Sequence, residues 1–256
     1  MQAKVLSVYD EGATEDTQLI GAKGLSVLLE VDGQRTLFDT GLRGRYLLNN
    51  MEQLDIDPAS LDRVVLSHGH RDHTGGLNAL LSARDEPLDV FLPQGCLRAA
   101  GGRLSGLLDR GMPRIAERNL AKSRVREVSE WIGLSESLSL SSPVPGDVTE
   151  MVMVLRSAQG PVVICGCCHA GVEVVLSHVK AHSGSNPRAL IGGTHLRKAG
   201  KERVAELSGA LDREFGSPAL YVNHCTGMGG IMKLRTNLGL SAVRDFYAGT
   251  GLEFEV

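Results

Sequence analysis

The chain lacks long apolar segments and has few aromatic residues. No stretch approaches the roughly 18 consecutive apolar residues of a membrane-spanning helix, and Met1 is not followed by the charged-then-apolar pattern of a secretory leader. Only 4% of the 256 residues are aromatic, which leaves few side chains for stacking on nucleic-acid bases. With a formal net charge of −3, we expect a cytoplasmic protein without a membrane or nucleic-acid partner, and the oligomeric state stays open.

Histidine is absent from the whole stretch between His73 and His169. Cysteine is also scarce, and its odd count of five suits a reducing compartment better than a disulfide framework. The apolar content of 42% over 256 residues is enough to fill the core of one domain, residues 1–256. What the chain does have is a local concentration of histidine upstream of that gap.

Three of the eight histidines and one carboxylate stand within six positions, at His68, His70, Asp72 and His73. The run from Arg63 to Ser67 resembles a short buried strand, and a Thr-Gly-Gly turn leads to a helix starting at Leu77. On such a loop His68 and His70 can point the same way, while Asp72 and His73 reach a second position. Imidazole and carboxylate ligands predict one or two zinc ions, or else manganese or iron. Surface histidines without a ligand are the alternative, and four potential ligands at this spacing outweigh it.

Further histidines follow predicted strands along the chain. Three strand–loop–helix units each place one histidine after a buried strand, and ligand sites in α/β folds gather at such strand ends. The units are residues 161–164 before His169, residues 189–191 before His195, and residues 219–222 before His224. Upstream, Asp32-Gly33 predicts a hairpin turn between residues 26–30 and 34–38, whose second strand runs into Asp39-Thr40-Gly41.

The spacing His-x-His-x-Asp-His at His68, His70, Asp72 and His73 closely resembles the signature of the metallo-β-lactamase superfamily. Other marks resemble its branch of metal-dependent hydrolases and dihydropterin-ribofuranosyl-aminobenzene phosphate synthases of methanopterin-type biosynthesis. They are Phe38-Asp39-Thr40-Gly41, Gly166-Cys167-Cys168-His169, Gly192-Gly193-Thr194-His195-Leu196 and His224-Cys225-Thr226-Gly227. The resemblance implies an α/β fold, a four-layer αββα sandwich, with a water or hydroxide held by one or two metal ions at one edge of the paired sheets.

The resemblance also implies how the ligands divide. One metal is assigned His68, His70 and His169, and the other is assigned Asp72, His73 and His224. Asp39 supports the ligand loop by hydrogen bonding, unless it is a plain turn residue. The commonest superfamily pattern has a third histidine and then a bridging aspartate. Here either His169 is that third ligand and no aspartate bridges, or His169 takes the bridging place, and both alternatives predict a weaker or asymmetric second site.

Several residues beside these ligands are further candidates. His195 holds the place from which superfamily phosphodiesterases protonate a leaving group or bind a phosphate, although a histidine satisfied by backbone groups is the alternative. Cys167 or Cys168 could approach the metal as a soft ligand, or all the cysteines could simply pack at strand ends. Substrate-side or neighbouring residues are predicted at Cys168, Thr194, Cys225 and Thr226.

A basic segment lies between the two groups of histidines, in a predicted insertion around residues 96–127. It could form a lid that attracts a phosphate or carboxylate, or it could be a solvated face with locally paired arginines. Its cations are Arg98, Arg103, Arg110, Arg114, Arg118, Lys122, Arg124 and Arg126.

The expected activity is metal-dependent hydrolysis of a phosphate ester, a phosphodiester or another small anionic ester. A metal-bound hydroxide would attack the electrophilic centre, Asp72 could accept a proton from the water, and His195 would assist the leaving group. Two alternatives stay open, which are a pterin-related phosphate synthase and a non-catalytic metal-binding sensor.

Overall fold

The structure is a computed structural model, and it describes residues 1–96 and 115–256. The strands of its first half are β1 Gln2–Tyr9, β2 Ser26–Val31, β3 Gln34–Phe38, β4 Arg63–Val65, β5 Leu88–Pro93 and β6 Ser123–Val128. Those that follow are β7 Ile132–Gly133, β8 Leu138–Leu140, β9 Met153–Leu155, β10 Val162–Cys165, β11 Ala189–Gly192, β12 Ala219–Val222, β13 Val243–Asp245 and β14 Gly251–Glu255. The α-helices are α1 Gly44–Gln53, α2 Arg71–Thr74, α3 Leu77–Ser82, α4 Glu117–Leu120, α5 Val172–Ser183, α6 Lys201–Phe215 and α7 Gly227–Leu238.

The strands form two seven-stranded sheets. The first has the order β14-β1-β2-β3-β4-β5-β6, and the second has the order β13-β12-β11-β10-β9-β8-β7. In the second sheet β10, β11, β12 and β13 are parallel, and α5, α6 and α7 connect them. All the loops that follow these parallel strands therefore lie at the same edge of the sheet.

Apolar side chains divide the molecule into four layers. Between the sheets lies a core to which both contribute, including Phe38 and Val65 from the first sheet and Ile164 and Ile191 from the second. A second cluster joins the outer face of the first sheet to α1 and α3. A third joins the outer face of the second sheet to α5, α6 and α7. This arrangement confirms the predicted αββα sandwich.

The hairpin between β2 and β3 shows why local sequence signals are reliable here. Asp32 and Gly33 both have positive φ angles, 54° and 72°, as the two central residues of a type I′ turn require. Glycine accepts this conformation without steric cost and aspartate tolerates it. The turn sets the register in which Val31 pairs with Gln34 and Val27 with Phe38.

Part of the predicted basic insertion lies outside the described residues, namely 97–114 with Arg98, Arg103, Arg110 and Arg114. The remainder contains α4 and β6, and β6 is the edge strand that pairs in parallel with β5. Two of its cations are paired locally, since Arg124 and Arg126 lie 2.6 Å and 3.3 Å from the carboxylate of Asp89. Among the described residues, no helix combines the length and apolar character needed to cross a membrane.

Candidate metal centre

The carboxylate of Asp39 organises the histidine loop that follows β4. It is fully buried and accepts hydrogen bonds from the Ser67 backbone N–H and hydroxyl, both at 2.7 Å. It also lies 2.7 Å from Nδ1 of His73. Because an ionised carboxylate only accepts, a neutral His73 that bonds to it carries its proton on Nδ1 and leaves Nε2 free to bind a metal.

The same carboxylate acts on His68 through Ser67. The Ser67 hydroxyl donates its only proton to Asp39, so at 2.8 Å it accepts from Nδ1 of His68. Burial, with the neighbouring histidines, lowers the pKa of His68 well below its ordinary value. His68 is therefore neutral, and its unprotonated Nε2 points toward the other ligands.

Three imidazole nitrogens converge in the first ligand set. Nε2 of His68 lies 3.0 Å from Nδ1 of His70 and 3.3 Å from Nε2 of His169. In a tetrahedral zinc site with metal–nitrogen distances near 2.05 Å, ligand nitrogens lie about 3.3 Å apart. Burial and the adjacent histidines lower the pKa of His169 to about 3, so this imidazole is neutral and can offer a lone pair to a cation. These donors fit a cation.

The second set brings together Asp72, His73 and His224. Nε2 of His73 lies 3.2 Å from Nε2 of His224, which is 3.7 Å from the Asp72 carboxylate. Burial alone would lower the pKa of His224, but Glu11, at 3.4 Å from its Nδ1, and nearby acidic groups raise it. Although burial opposes ionisation of Asp72, His73, His224 and Lys23 hold its pKa below the ordinary value.

Two thiols reach this centre. Sγ of Cys167 is 3.2 Å from Nε2 of His73. Sγ of Cys225 lies close to the ligand atoms of Cys167 and His224, and the three residues form one group that could hold a metal ion. Cys168 is buried in the apolar cluster on the outer face of the second sheet and belongs to none of the ligand groups found among residues 1–96 and 115–256.

Several of these loop residues have backbone conformations that side chains rarely adopt. Positive φ angles occur at Asp39 (62°), Cys168 (52°), His195 (56°) and His224 (47°). Such strain is found at functional sites, where surrounding contacts impose it. At His195 one such contact is the hydrogen bond from its N–H to Cys225 Sγ, at 3.2 Å.

His195 lies at the opening of the site. Its ring centroid is 4.6 Å from that of His169, and partial burial, followed by the charge of His224, lowers its pKa. Thr194 and Thr226 are buried and join their two loops, because the Thr194 N–H and hydroxyl lie 3.1 Å and 3.0 Å from the Thr226 hydroxyl. His195 therefore faces the cavity, whereas the two threonines hold the loops together.

A cavity of about 700 Å³ opens over both ligand sets. Besides metal-site residues and His195, its lining includes Glu11, Lys23 and Arg197. Arg197 contacts the Glu11 carboxylate at 2.6 Å and donates to the His224 carbonyl at 2.9 Å. The Lys23 ammonium is 3.4 Å from the Asp72 carboxylate, with a side chain 57% exposed. Sequence motifs did not indicate these three residues, because none belongs to a recognisable spacing.

Glu150 is a further residue that the sequence did not indicate. It is only 2% exposed, and its carboxylate accepts from the N–H of Ala170, next to His169, at 3.4 Å. Burial raises its pKa to about 7, against the effect of backbone hydrogen bonds from His169 and Ala170. Glu150 therefore supports the loop that carries His169 through this backbone hydrogen bond, and it is not among the residues that line the cavity.

Comparison with known proteins decides the family. The model of the family described as the metallo-beta-lactamase superfamily matches residues 20–188, which is more than half of the chain. The chain belongs to the metallo-beta-lactamase superfamily. Membership confirms the family and the enzyme class that the sequence analysis predicts, and the superfamily is metal-dependent.

Relatives within the superfamily match over most of the chain. A 7,8-dihydropterin-6-methyl-4-(β-D-ribofuranosyl)-aminobenzene-5′-phosphate synthase of Methanocaldococcus jannaschii is 26% identical, over 88% of this chain and 87% of its own length. Exodeoxyribonuclease WalJ of Streptococcus pneumoniae is 27% identical, over 92% and 90% of the two chains. The crystal structure of Tm1679, a metal-dependent hydrolase of the beta-lactamase superfamily, superposes with a TM-score of 0.79 and 24% identity, covering 99% of this chain and 100% of Tm1679.

Proposed function

We propose that the chain is a metal-dependent hydrolase that acts on a phosphate ester, a phosphodiester or another small anionic ester. The observation that supports this most directly is the convergence of two ligand sets beneath one cavity. His68, His70 and His169 form the first set, and Asp72, His73 and His224 form the second. A cavity of about 700 Å³ above them leaves room for a small substrate.

Zinc is the metal that we propose for this centre. Histidine nitrogen with one carboxylate oxygen is a donor set that suits zinc, with iron or manganese as alternatives. When bound, the metal would lower the pKa of a coordinated water toward neutrality and offset negative charge that develops on the substrate.

The chain's own residues would hold the substrate and move protons. The ammonium of Lys23 and the guanidinium of Arg197 stand at the cavity wall and attract an anionic group. Asp72 is ionised, because its pKa lies below the ordinary value, and its carboxylate can accept a proton from water. His195 faces the cavity from the opposite loop. The negative charge of a bound substrate would raise the lowered pKa of this imidazole, so that it can give a proton to the leaving group.

Three alanine variants test this assignment. We expect His68→Ala and His224→Ala to lose both bound metal and turnover, because each removes a ligand nitrogen. His195→Ala should keep the metal and lose about 100-fold or more in kcat, the usual contribution of a general acid. Metal is measured by elemental analysis, and turnover on phosphodiester and phosphomonoester reporters before and after chelation. Equal metal loss in His195→Ala would refute the role assigned to His195.

A second candidate function is a pterin-related phosphate synthase. The observation in its favour is the match to the Methanocaldococcus jannaschii synthase over 88% of this chain. Metal-replete protein that joins a dihydropterin to a ribofuranosyl-aminobenzene phosphate, while leaving both ester reporters intact, would favour the synthase over the hydrolase.

A further inference from the structure

We propose that Cys167 is a metal ligand whose sulfur lies between the two ligand sets, so that the centre mixes imidazole, carboxylate and thiolate donors. This inference rests on the proposed function to the extent that it requires metal at this site. It adds a ligand to the histidines and Asp72 and narrows the class of metal that the centre prefers.

The position of the Cys167 sulfur supports this assignment. Cys167 is 3% exposed, and its Sγ lies 3.2 Å from Nε2 of His73. The sulfur is within 4.8 Å of ligand nitrogens of His68 and His73, and separately of a ligand nitrogen of His224. His68 belongs to the first set, whereas His73 and His224 belong to the second. The sulfur is therefore close to ligands of both sets.

The Cys167 sulfur faces Nε2 of His73, the ring nitrogen that does not bond to Asp39. Asp39 accepts a hydrogen bond from Nδ1–H of His73, so Nε2 of the neutral ring presents a lone pair toward Cys167. Without metal, the thiol can donate its proton to that nitrogen. If a metal were bound there, the thiol proton would be released to solvent, and the sulfur would hold the metal as a thiolate.

The other described thiols are placed differently. Sγ of Cys165 lies 3.5 Å and 3.4 Å from the carbonyl oxygens of Ile191 and Gly193, which share its single thiol proton. Cys168 packs in the apolar cluster, and Cys96 contacts the carbonyl of Thr149.

Cys225 is the nearest competitor as a sulfur ligand. Its Sγ accepts the N–H of His195 at 3.2 Å and donates to the carbonyl of Cys167 at 3.7 Å. It belongs to one ligand group, with Cys167 and His224, whereas Cys167 belongs to two. Cys225 therefore holds the His195 loop, and Cys167 binds the metal.

A thiolate changes the preference of the centre among metals. Sulfur favours zinc or iron over manganese, magnesium or calcium, which prefer oxygen donors. Sites of nitrogen and oxygen donors also bind zinc more tightly than manganese, so the effect of the thiolate is measured as the change in zinc-over-manganese selectivity between wild type and variant. Cys167→Ser should lose more than 10-fold of this selectivity for zinc, whereas Cys165→Ser should keep it.

X-ray absorption at the zinc edge tests the ligand directly in the whole protein. Zinc–sulfur bonds are about 2.3 Å long and zinc–nitrogen bonds about 2.0–2.1 Å, so the two kinds of neighbour are separable. Wild-type protein should show one sulfur neighbour. Cys167→Ser should lose it, while Cys165→Ser and Cys225→Ser should keep it. Circular dichroism checks the folding of each variant.

Each contrary result has a definite meaning. A zinc spectrum of the wild type with only nitrogen and oxygen neighbours would overturn the inference, even if Cys167→Ser failed to fold, and would leave the proposed hydrolase intact. Sulfur that disappears in Cys225→Ser and persists in Cys167→Ser would also overturn it. Protein that takes up no metal would refute the proposed function together with the inference.

Discussion

A single buried carboxylate, Asp39, determines which nitrogens of His68 and His73 are free. It accepts a hydrogen bond from Nδ1–H of His73 directly and acts on His68 through the hydroxyl of Ser67. Asp39→Asn keeps the shape but replaces an acceptor by an amide group that donates. We expect metal affinity to fall about 10-fold to 100-fold, the usual effect of removing a group that hydrogen-bonds to a metal ligand. Competition with a chromophoric chelator measures this affinity.

The matched control is Asp89→Asn. The Asp89 carboxylate, on β5, pairs with Arg124 and Arg126 of the edge strand β6. This substitution should leave metal affinity unchanged, because Asp89 does not touch the ligand loop. An Asp39→Asn protein with wild-type metal affinity would show that the ligand orientations do not depend on this carboxylate.

Residues of the site differ in how far the sequence alone could indicate them. His68, His70, Asp72 and His73 could be recognised because their identity and spacing are local features. Glu11 and Arg197 could not, because they meet only when the end of β1 comes beside the loop after β11, at an ion pair between residues 186 positions apart. No short spacing marks such an encounter.

The loops that follow the parallel strands β10, β11 and β12 pack closely enough to require glycine. A Cβ added to Gly193 would lie 2.6 Å from the carbonyl oxygen of Gly166, well inside van der Waals contact. Since that neighbour is backbone, it cannot move aside cheaply. We expect Gly193→Ala to lower the free energy of unfolding by about 2–3 kcal/mol, measured by urea denaturation.

Gly229→Ala is the control for that substitution. Gly229 lies in α7 and an added Cβ would meet nothing within 4 Å, so alanine should raise the free energy of unfolding by about 0.5–1 kcal/mol. Equal effects of the two substitutions, or a stable Gly193→Ala protein, would contradict the close approach of the loops.

At the scale of elements, local pattern was sufficient for the strands that precede ligands. The predicted strand at residues 219–222 corresponds to β12. The predicted strand at residues 161–164 corresponds, within one residue, to β10. The pairing of β1 with β14 could not be read in the same way, because Gln2 meets Glu255 across nearly the whole chain. That contact depends on closing the fold and has no local signature.

The two sheets are joined at one end by Asp32. Its carboxylate, in the turn between β2 and β3, accepts from the Ser135 hydroxyl at 2.6 Å and from the Ser137 N–H at 2.7 Å, between β7 and β8. Slight burial opposes ionisation, but these hydrogen bonds hold the pKa of Asp32 below its ordinary value of 3.8. Asp32→Asn should lower the free energy of unfolding by about 1 kcal/mol at neutral pH.

The difference between wild type and Asp32→Asn should depend on pH in one direction. Because the folded pKa is depressed, the stabilisation is fully present above the pKa of the unfolded chain and is lost as pH falls through the folded value. Urea titrations of chelator-treated protein, followed by the fluorescence of the single tryptophan Trp131, should give curves that converge in acid. A difference that grows on acidification would contradict the assigned hydrogen bonds.

At the scale of the whole molecule, the proposed metal centre joins the two sheets, because its proposed ligands come from both. His68 and His73 follow β4 of the first sheet, whereas His169 and His224 follow β10 and β12 of the second. Unfolding separates these groups, so metal binds the folded state preferentially and stabilises it by mass action. At a free metal concentration about 1,000 times Kd the stabilisation is about 4 kcal/mol, or a rise in Tm of about 10 °C for a chain of this size.

Calorimetry before and after chelation measures this coupling. Wild-type protein should lose about 10 °C in Tm on metal removal, and His224→Ala should lose little, because one ligand from the second sheet is already missing. His182→Ala is the matched control. His182 stacks on Trp131, with 3.8 Å between the ring centroids, and it is in none of the ligand groups among the described residues. The Tm of this variant should respond to chelation like that of the wild type. Equal Tm shifts in all three proteins would mean that metal binds elsewhere. A Tm shift confined to wild type and His182→Ala would show that the ligands that hold the metal also hold the two sheets together.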